Sequence, residues 1–324
     1  MATLVATIAT TMSTNLTPHK KTLVVVLGPT GSGKTDLAVA LAQHLSCEII
    51  STDSRQFYKG MAIGTAQPSA DQLATVPHHF IADRSPEQEL SAGAYEREAL
   101  ARLEQLFDEH DVVIAVGGSG LYIDALCNGF DELPCDTAHI RAELMQRLAD
   151  EGLESLSQQL AQLDPDYYHV VDRHNPARIV RALEVCLASG RPYSEQRTAT
   201  KRPRPFDILR IGIEWPREEL YERINRRVDM MIEEGLEAEA RSVYHLRHLS
   251  SLQTVGYREM FDYFDGTISR EEAIELIKRN SRRYAKRQMT WFRRTADIEW
   301  VTKKDIEKAK QIVETFCAQQ AKWF

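Results

Sequence analysis

"LVVVLGPTGSGKTDLAVALAQHL", residues 23–45, decides the fold of this chain. A run of apolar residues feeds a glycine-rich turn, and apolar positions then recur at helical spacing. Strand, turn and helix form the context in which the pattern G-x-x-x-x-G-K-[ST] at residues 28–35 is a phosphate cradle. Gly28, Gly31 and Gly33 allow backbone N–H groups to turn inward on phosphates. Lys34 adds a point charge, and the Thr35 hydroxyl is a candidate Mg²⁺ ligand. Which phosphate is held, and which of its bonds breaks, these eight residues leave open.

Outward from this loop, strand and helix patterns alternate. "CEIIST" at 47–52 is a short strand, a helix is predicted over 92–109, and "DVVIAVGG" at 111–118 is a buried strand ending in glycines. This rhythm predicts an α/β fold: a P-loop NTPase-like parallel sheet flanked by helices, with sites at the carboxyl ends of its strands. The loops at 28–35, 52–56 and 117–120 all fall at such ends and are expected to meet. From 137 to 189 the pattern is helical with no strand, and a Pro/Arg-rich linker follows at 191–206. "DILRIGIEW" at 207–215 returns to a strand, with helices expected from there to the end. The predicted organisation is a tail over 1–20, a catalytic core over 21–130 and 206–324, and an inserted all-helical domain over 131–205 that binds RNA.

The chain has 324 residues, 43% hydrophobic and 27% charged, ordinary values for a globular protein with a substantial core. No stretch approaches the roughly 18 apolar residues of a membrane helix. The Thr/Ala-rich opening lacks the features of a signal peptide and reads as a disordered tail, or as an upstream start with Met12 the alternative first residue. Five scattered cysteines with no C-x-x-C pair argue against structural zinc and a disulfide framework, and fit a reducing cytoplasm.

The net charge of −7 disfavours a nucleic-acid partner only until its distribution is considered. "KRNSRRYAKRQMTWFRR", residues 278–294, holds eight cations and no acid. Arg279, Arg282 or Arg283, Lys286 and Arg287 share one helical face, with Tyr284, Trp291 and Phe292 interleaved. Cations for phosphates and aromatics for packing or stacking suit an RNA-binding face, although a plain solvated helix is the ordinary explanation of a charge run. Arg178, Arg181, Lys201, Arg202 and Arg204 extend the expected track. Asp53 follows the second strand and is either a Mg²⁺ ligand through water, a general base, or the side chain of a simple Asx turn. Gln56 beside it is a candidate reader of a base edge. "VGGSGLY" at 116–122 offers no acid where a hydrolase of this fold holds Mg²⁺, and its glycines suit close approach of a ligand. His78 and His79 are taken as loop residues without a role.

Six blocks in order, "GPTGSGKT", "DSRQFY", "GTAQP", "GGSGLY", "VGYRE" and "KRQMTWFR", resemble the tRNA dimethylallyltransferases, also called isopentenyltransferases, of bacterial type. The resemblance runs from about residue 22 to the C-terminal region. It implies transfer of a dimethylallyl group from dimethylallyl diphosphate to N6 of the adenosine immediately 3′ of the anticodon, position 37, in tRNAs reading codons that start with U. It also implies a cytoplasmic enzyme that needs Mg²⁺ and grips the anticodon stem-loop; a monomer is expected. The diphosphate would lie in the loop of Gly28, Pro29, Thr30, Gly31, Ser32, Gly33, Lys34 and Thr35, with Thr30 contacting it and Thr35 on the metal. Asp53 would take a proton from the adenine amine. Asp53, Ser54, Arg55 and Gln56 match a tRNA-contacting segment of the family. So do Ala177, Arg178, Ile179, Val180 and Arg181, and also Gln253, Thr254, Val255, Gly256, Tyr257 and Arg258. Ser119 and Arg141 match single tRNA-contact positions. Two departures stand out: Gln67 replaces a common lysine, and Ser119 replaces a common threonine while keeping the hydroxyl.

A P-loop kinase acting on a nucleoside or a shikimate-like substrate would explain the cradle and Asp53, but not the basic helix or the insertion. An RNA-binding ATP switch would explain the basic helix, but predicts an acid at the end of the third strand that is missing.

Overall fold

The computed structural model describes residues 21–131, 137–197, 201–303 and 305–320. The expected tail over 1–20, Met12 and Cys135 lie outside the described residues. In chain order the strands are β1 (Thr22–Leu27), β2 (Ile49–Ser51), β3 (His78–His79), β4 (Val112–Gly117), β5 (Asp207–Glu214) and β6 (Ile298–Thr302). The first helices are α1 (Lys34–Leu45), α2 (Ala70–Thr75), α3 (Ala92–Glu109) and α4 (Gly120–Asn128). Then come α5 (Ala138–Leu163), α6 (Pro165–Val170), α7 (Pro176–Ser189) and α8 (Tyr193–Gln196). The rest are α9 (Arg217–Glu234), α10 (Leu236–Ser242), α11 (Tyr257–Phe264), α12 (Arg270–Phe292) and α13 (Ile306–Gln320).

The six strands form one sheet in the order β3-β2-β4-β1-β5-β6, every pair parallel. A parallel sheet is covered on both faces, so its central strands read as continuous apolar runs, as "TLVVVL" does. Side chains alternate faces at every residue. Leu23, Val25 and Leu27 pack with Leu103, Ile123, Phe261 and Phe292 on one side. Val24 and Val26 pack with Leu37, Leu41, Ala309 and Val313 on the other.

The strands expected over 22–27, 47–52, 111–118 and 207–215 form as β1, β2, β4 and β5, and the helices expected from 34 and over 92–109 form as α1 and α3. Two strands were not expected. His78 and His79 pair with Ile49 and Ile50, making β3 the edge rather than a loop. Helices alone were expected after 215, yet β6 pairs with β5 from Arg210–Ile298 to Glu214–Thr302. Both are short edge strands, and β6 leaves Glu299 and Thr302 exposed, so neither carries the apolar run of a central strand.

Contacts divide the chain into two units, one of residues 1–127 and 204–324, the other of 128–203. The smaller unit is helical among its described residues. Its helix α5 is broken at Gly152, whose φ of 82° interrupts the helix. Helix α7 starts with Pro176 in its first turn, is capped by the Asn175 side chain on the Arg178 N–H, and ends at Gly190 in the left-handed region. Leu144, Leu156, Leu160, Ile179, Val180 and Leu183 form this unit's own core.

Candidate active site

The site lies in the larger unit, at the carboxyl ends of β1, β2 and β4. After β1 the chain turns through Gly31 and Gly33 with φ of +81° and +85°, a backbone that side-chain-bearing residues rarely adopt. Gly33 leads directly into α1, whose first N–H groups have no intrahelical partner and so face an anion. The loop is braced from outside: the Trp215 indole donates to the Ser32 carbonyl at 3.0 Å, and Arg223 Nε donates to the Gly31 carbonyl at 2.9 Å. Burial pulls the Lys34 ammonium down to about 8; the Asp53 carboxylate opposes the shift, and the Arg227 charge adds to it. The site therefore favours a bound negative charge.

Asp53 follows β2. Its Oδ1 accepts from the Arg55 N–H at 3.2 Å, so the Asx turn exists, and the same carboxylate also borders the cavities described below. Ser54 donates its N–H to Ser119 Oγ at 3.0 Å, and the two hydroxyls are 3.0 Å apart. The loops after β2 and β4 thus touch. The third connection runs through α12: Gln288 accepts from the Thr30 N–H and donates to the Gly118 carbonyl, both at 2.9 Å. All three loops meet as expected.

Two cavities share Thr30, Asp53, Thr65, Ala66 and Arg227 as walls. One, of about 410 Å³, is polar and holds Gly31, Gly33, Lys34, Thr35, Asp36, Arg223 and Arg226. The other, of about 100 Å³, has an apolar wall of Ile224, Val228, Met231, Val255 and Ile277, with Tyr284 and Gln288 beside it. Burial pushes the Tyr284 hydroxyl up to about 12, with the Asp53 charge acting in the same direction, so this side chain stays protonated. Lys34, Arg223, Arg226 and Arg227 against Asp36 and Asp53 leave the polar cavity with a surplus of positive charge. These three arginines, all on α9, were not singled out in the sequence. Their signal is the 223–226–227 spacing, set beside Ile224 and Val228 on an amphipathic helix.

Other candidate residues have roles the sequence did not suggest. Gln56 is buried, its carboxamide donating to the carbonyls of Thr65 and Ala66, so it shapes the cavity wall rather than presenting a base-reading edge. Gln67 returns the interaction, donating to the carbonyls of Gln56 and Tyr58 at 3.1 and 2.9 Å. The charge lost relative to lysine is replaced here by a loop brace. Arg55 Nη1 donates to the carbonyls of Ser250 and Ser251. Thr254, Val255 and Gly256 line the apolar cavity. Tyr257 next to them is fully buried, with its hydroxyl on Glu239, whose carboxylate also takes the N–H groups of Ile63 and Gly64. Gln253 and Arg258 are exposed.

On α12 the cations Arg279, Arg283, Lys286 and Arg287 are exposed, and no carboxylate among the described residues pairs with them. Arg282 instead donates to Asn225. The aromatics do not join the outer face: Phe292 is buried, Tyr284 lines the cavity, and the Trp291 indole donates to Asp124. Arg204 is removed from the expected cationic track, because it forms a buried pair with Glu96 at 2.7 Å. In the helical unit, Ala177 and Arg178 are exposed, whereas Ile179 and Val180 are core. Arg141 and Arg181 both reach the buried Glu184 carboxylate, at 3.3 and 3.1 Å.

No group of three or more His, Cys, Asp or Glu residues among those described could cage a metal. The oxygen donors beside Lys34 include the Thr35 hydroxyl and the carboxylates of Asp36 and Asp53. That sparse, hard set fits Mg²⁺, which is usually held by few protein ligands together with phosphate oxygens and water. No described helix is long and apolar enough to cross a membrane.

A family model described as IPP transferase matches residues 56–295. A protein of Phocaeicola vulgatus named tRNA dimethylallyltransferase 1 is 50% identical over 279 residues, 86% of this chain and 93% of that protein. A tRNA dimethylallyltransferase 1 of Porphyromonas gingivalis is 52% identical over the same length and coverage. The solved structure of the tRNA isopentenylpyrophosphate transferase of Bacillus halodurans is similar with a TM-score of 0.69 and 36% identity, covering 94% of this chain and 99% of that one. That of a eukaryotic dimethylallyltransferase acting on tRNA gives a TM-score of 0.72 and 26% identity, covering 89% of this chain and 75% of that one.

Proposed function

This chain belongs to the IPP transferase family, and we propose that it transfers a dimethylallyl group from dimethylallyl diphosphate to N6 of adenosine 37 in tRNAs reading codons that start with U. The observation that carries the proposal is the pairing of cavities: a cationic cradle and an apolar pocket that share Thr30 and Asp53 as walls. A prenyl diphosphate has one end for each. Its diphosphate matches Lys34, Arg223, Arg226 and Arg227, and its five carbons match Ile224, Val228, Met231, Val255 and Ile277. The C1–O bond between the two ends then lies beside Thr30 and Asp53.

In the reaction the adenine N6 lone pair attacks C1, the C1–O bond breaks, and the electron pair leaves with the diphosphate. Asp53 accepts the N6 proton. Lys34 and the α9 arginines stabilise the charge that grows on the leaving oxygen, in a partly enclosed site where such interactions are strong. Thr30 contacts the diphosphate at the boundary between the cavities. Thr35, with Asp36 beside it, would hold Mg²⁺, which supplies further charge neutralisation to the leaving group when bound. The exposed cations of α12 and the Arg141, Ala177, Arg178 and Arg181 surface of the helical unit grip the anticodon stem-loop. Ile179, Val180 and Tyr257 support these segments from within the core. The target base leaves its stack to reach the pocket, which costs least in a loop.

The test is incubation of the protein with Mg²⁺, labelled dimethylallyl diphosphate and tRNA carrying A36-A37. Label entering the RNA, lost when A37 is replaced, is the expected result. ATP consumption without transfer would overturn the proposal in favour of a kinase.

A further inference from the structure

Gln288 is 5% exposed, and both ends of its carboxamide are committed. Oε1 accepts from the Thr30 N–H and Nε2 donates to the Gly118 carbonyl, each at 2.9 Å. One end faces a donor and the other an acceptor, so a flipped amide would satisfy neither. The fit continues on the far side, where a Cβ at Gly118 would lie 2.3 Å from Nε2. Position 118 is therefore a glycine where the carboxamide passes.

In a phosphate cradle the backbone N–H groups ordinarily face the anion. The Thr30 N–H faces Gln288 instead. With that N–H held, the direction of the Thr30 Cα–Cβ bond is set, and the residue borders both cavities. The holder belongs to α12, whose inner face carries Tyr284 and Gln288 one turn apart at the cavity. Its outer face carries the exposed Arg283, Lys286 and Arg287.

We propose that Gln288 is a positioning residue, a strut from α12 that fixes Thr30 of the phosphate loop against the turn after β4. This rests on the assignment of the cradle to a prenyl diphosphate. Gln288 does not touch the reacting atoms; it acts through Thr30.

Gln288→Met keeps length and removes both hydrogen bonds. The expected result is a fall of about tenfold or more in kcat/KM for dimethylallyl diphosphate, with the KM for tRNA within about twofold of the parent. Binding of inorganic diphosphate, measured by calorimetry, weakens in parallel. A merely structural role would instead lower tRNA affinity and melting temperature together with the donor parameters. A second arm survives poor folding of that variant. Gly118→Ala in the parent chain presses its methyl on the carboxamide and reproduces the donor defect. In a Gln288→Ala background, where space is open, it changes the donor parameters by less than about threefold. Unchanged donor parameters in Gln288→Met, or equal Gly118→Ala losses in both backgrounds, overturn the proposal. The calorimetric arm needs no catalysis, so absence of prenyl transfer by the parent rejects the functional assignment without deciding the role of Gln288.

Discussion

Replacing Asp53 by Asn separates the roles open to this carboxylate. Asparagine keeps an oxygen for the Arg55 N–H, so the 3.2 Å turn bond and the shape of the loop survive. Lost are the charge and the ability to take a proton. Removing a general base costs about 10²–10⁴-fold in rate, about 2.7–5.4 kcal/mol of barrier at 1.36 kcal/mol per decade. The binding term has the opposite sign. Asp53 is one of two carboxylates facing Lys34, Arg223, Arg226 and Arg227, so neutralising it reduces repulsion on an incoming diphosphate. The expected signature is a kcat lowered by at least about a hundredfold with the KM for dimethylallyl diphosphate unchanged or lower. Asp53 also supports the charged form of Lys34, so in the variant that ammonium falls below its value of about 8. The comparison therefore belongs well below pH 8, near pH 6.5, where the parent Lys34 is protonated and the difference between the two proteins is smallest. Single-turnover transfer of labelled dimethylallyl groups measures the rate, and filter binding measures tRNA affinity. A tRNA affinity that falls in step with kcat would make Asp53 a docking residue. A raised Mg²⁺ requirement with kcat restored at high Mg²⁺ would make it a metal ligand, and either result refutes the base assignment.

Three further expectations follow from other parts of the molecule. Lys34, depressed from 10.5 to about 8, is charged below that pH and loses its charge above it. Calorimetry should find inorganic diphosphate binding weakening as pH rises beyond about 8, and Lys34→Arg should flatten that limb. In the window between the two values the unfolded chain binds a proton that the folded one does not, so the Lys34 contribution to stability rises with pH there. tRNA affinity should fall steeply with salt, and Arg283→Ala or Lys286→Ala should each reduce the log–log slope by about one; a flat response in the parent would remove α12 from the interface. Glu96→Ala takes the carboxylate from Arg204, whose side chain is only 7% exposed and keeps the Ala125 and Leu126 carbonyls as acceptors, and should cost about 3 kcal/mol in urea unfolding; a loss below about 1 kcal/mol would show that Arg204 relaxes to solvent.

The phosphate loop, four of the strands and the meeting of three loops were legible because each rests on local chemistry. An apolar run can only be buried, and the glycines at 31 and 33 supply the φ of +81° and +85° that the cradle adopts. What escaped depends on where helices dock. Nothing local to "ERINRR" shows that its arginines face the cradle rather than water, because the same i, i+3, i+4 spacing serves both. The aromatics of α12 illustrate the converse. Their interleaving with cations suggested stacking on bases, but Phe292 faces the core, and the Trp291 indole donates to Asp124 against Gly120, where a Cβ would lie 2.4 Å from the ring. Arg204 likewise resembles its basic neighbours in sequence, and only Glu96, 108 residues away, distinguishes it.

The turn after β4 departs from that of a phosphate-hydrolysing relative of this fold. A hydrolase of this fold holds Mg²⁺ with an acid at that strand end. Here no such acid fits. A Cβ on Gly117 would lie 2.2 Å from Thr52 Oγ1 and 2.6 Å from the Thr52 backbone carbon, so a carboxylate there would have to push the β2 loop away. At Gly118 the obstacle is Gln288, and at Gly120 it is Trp291. Ser119, the one side chain in the turn, is spent on Ser54 beside Asp53. The space a metal-binding acid would need is used to bring the Asp53 loop against the turn after β4. Asp53 borders both the cationic cavity and the apolar one, so a prenyl diphosphate seated as proposed would bring its carbon end beside this carboxylate. An acid at 117 would hold Mg²⁺ for phosphoryl transfer, whereas on the proposed assignment Asp53 would take the proton of a nucleophile attacking C1.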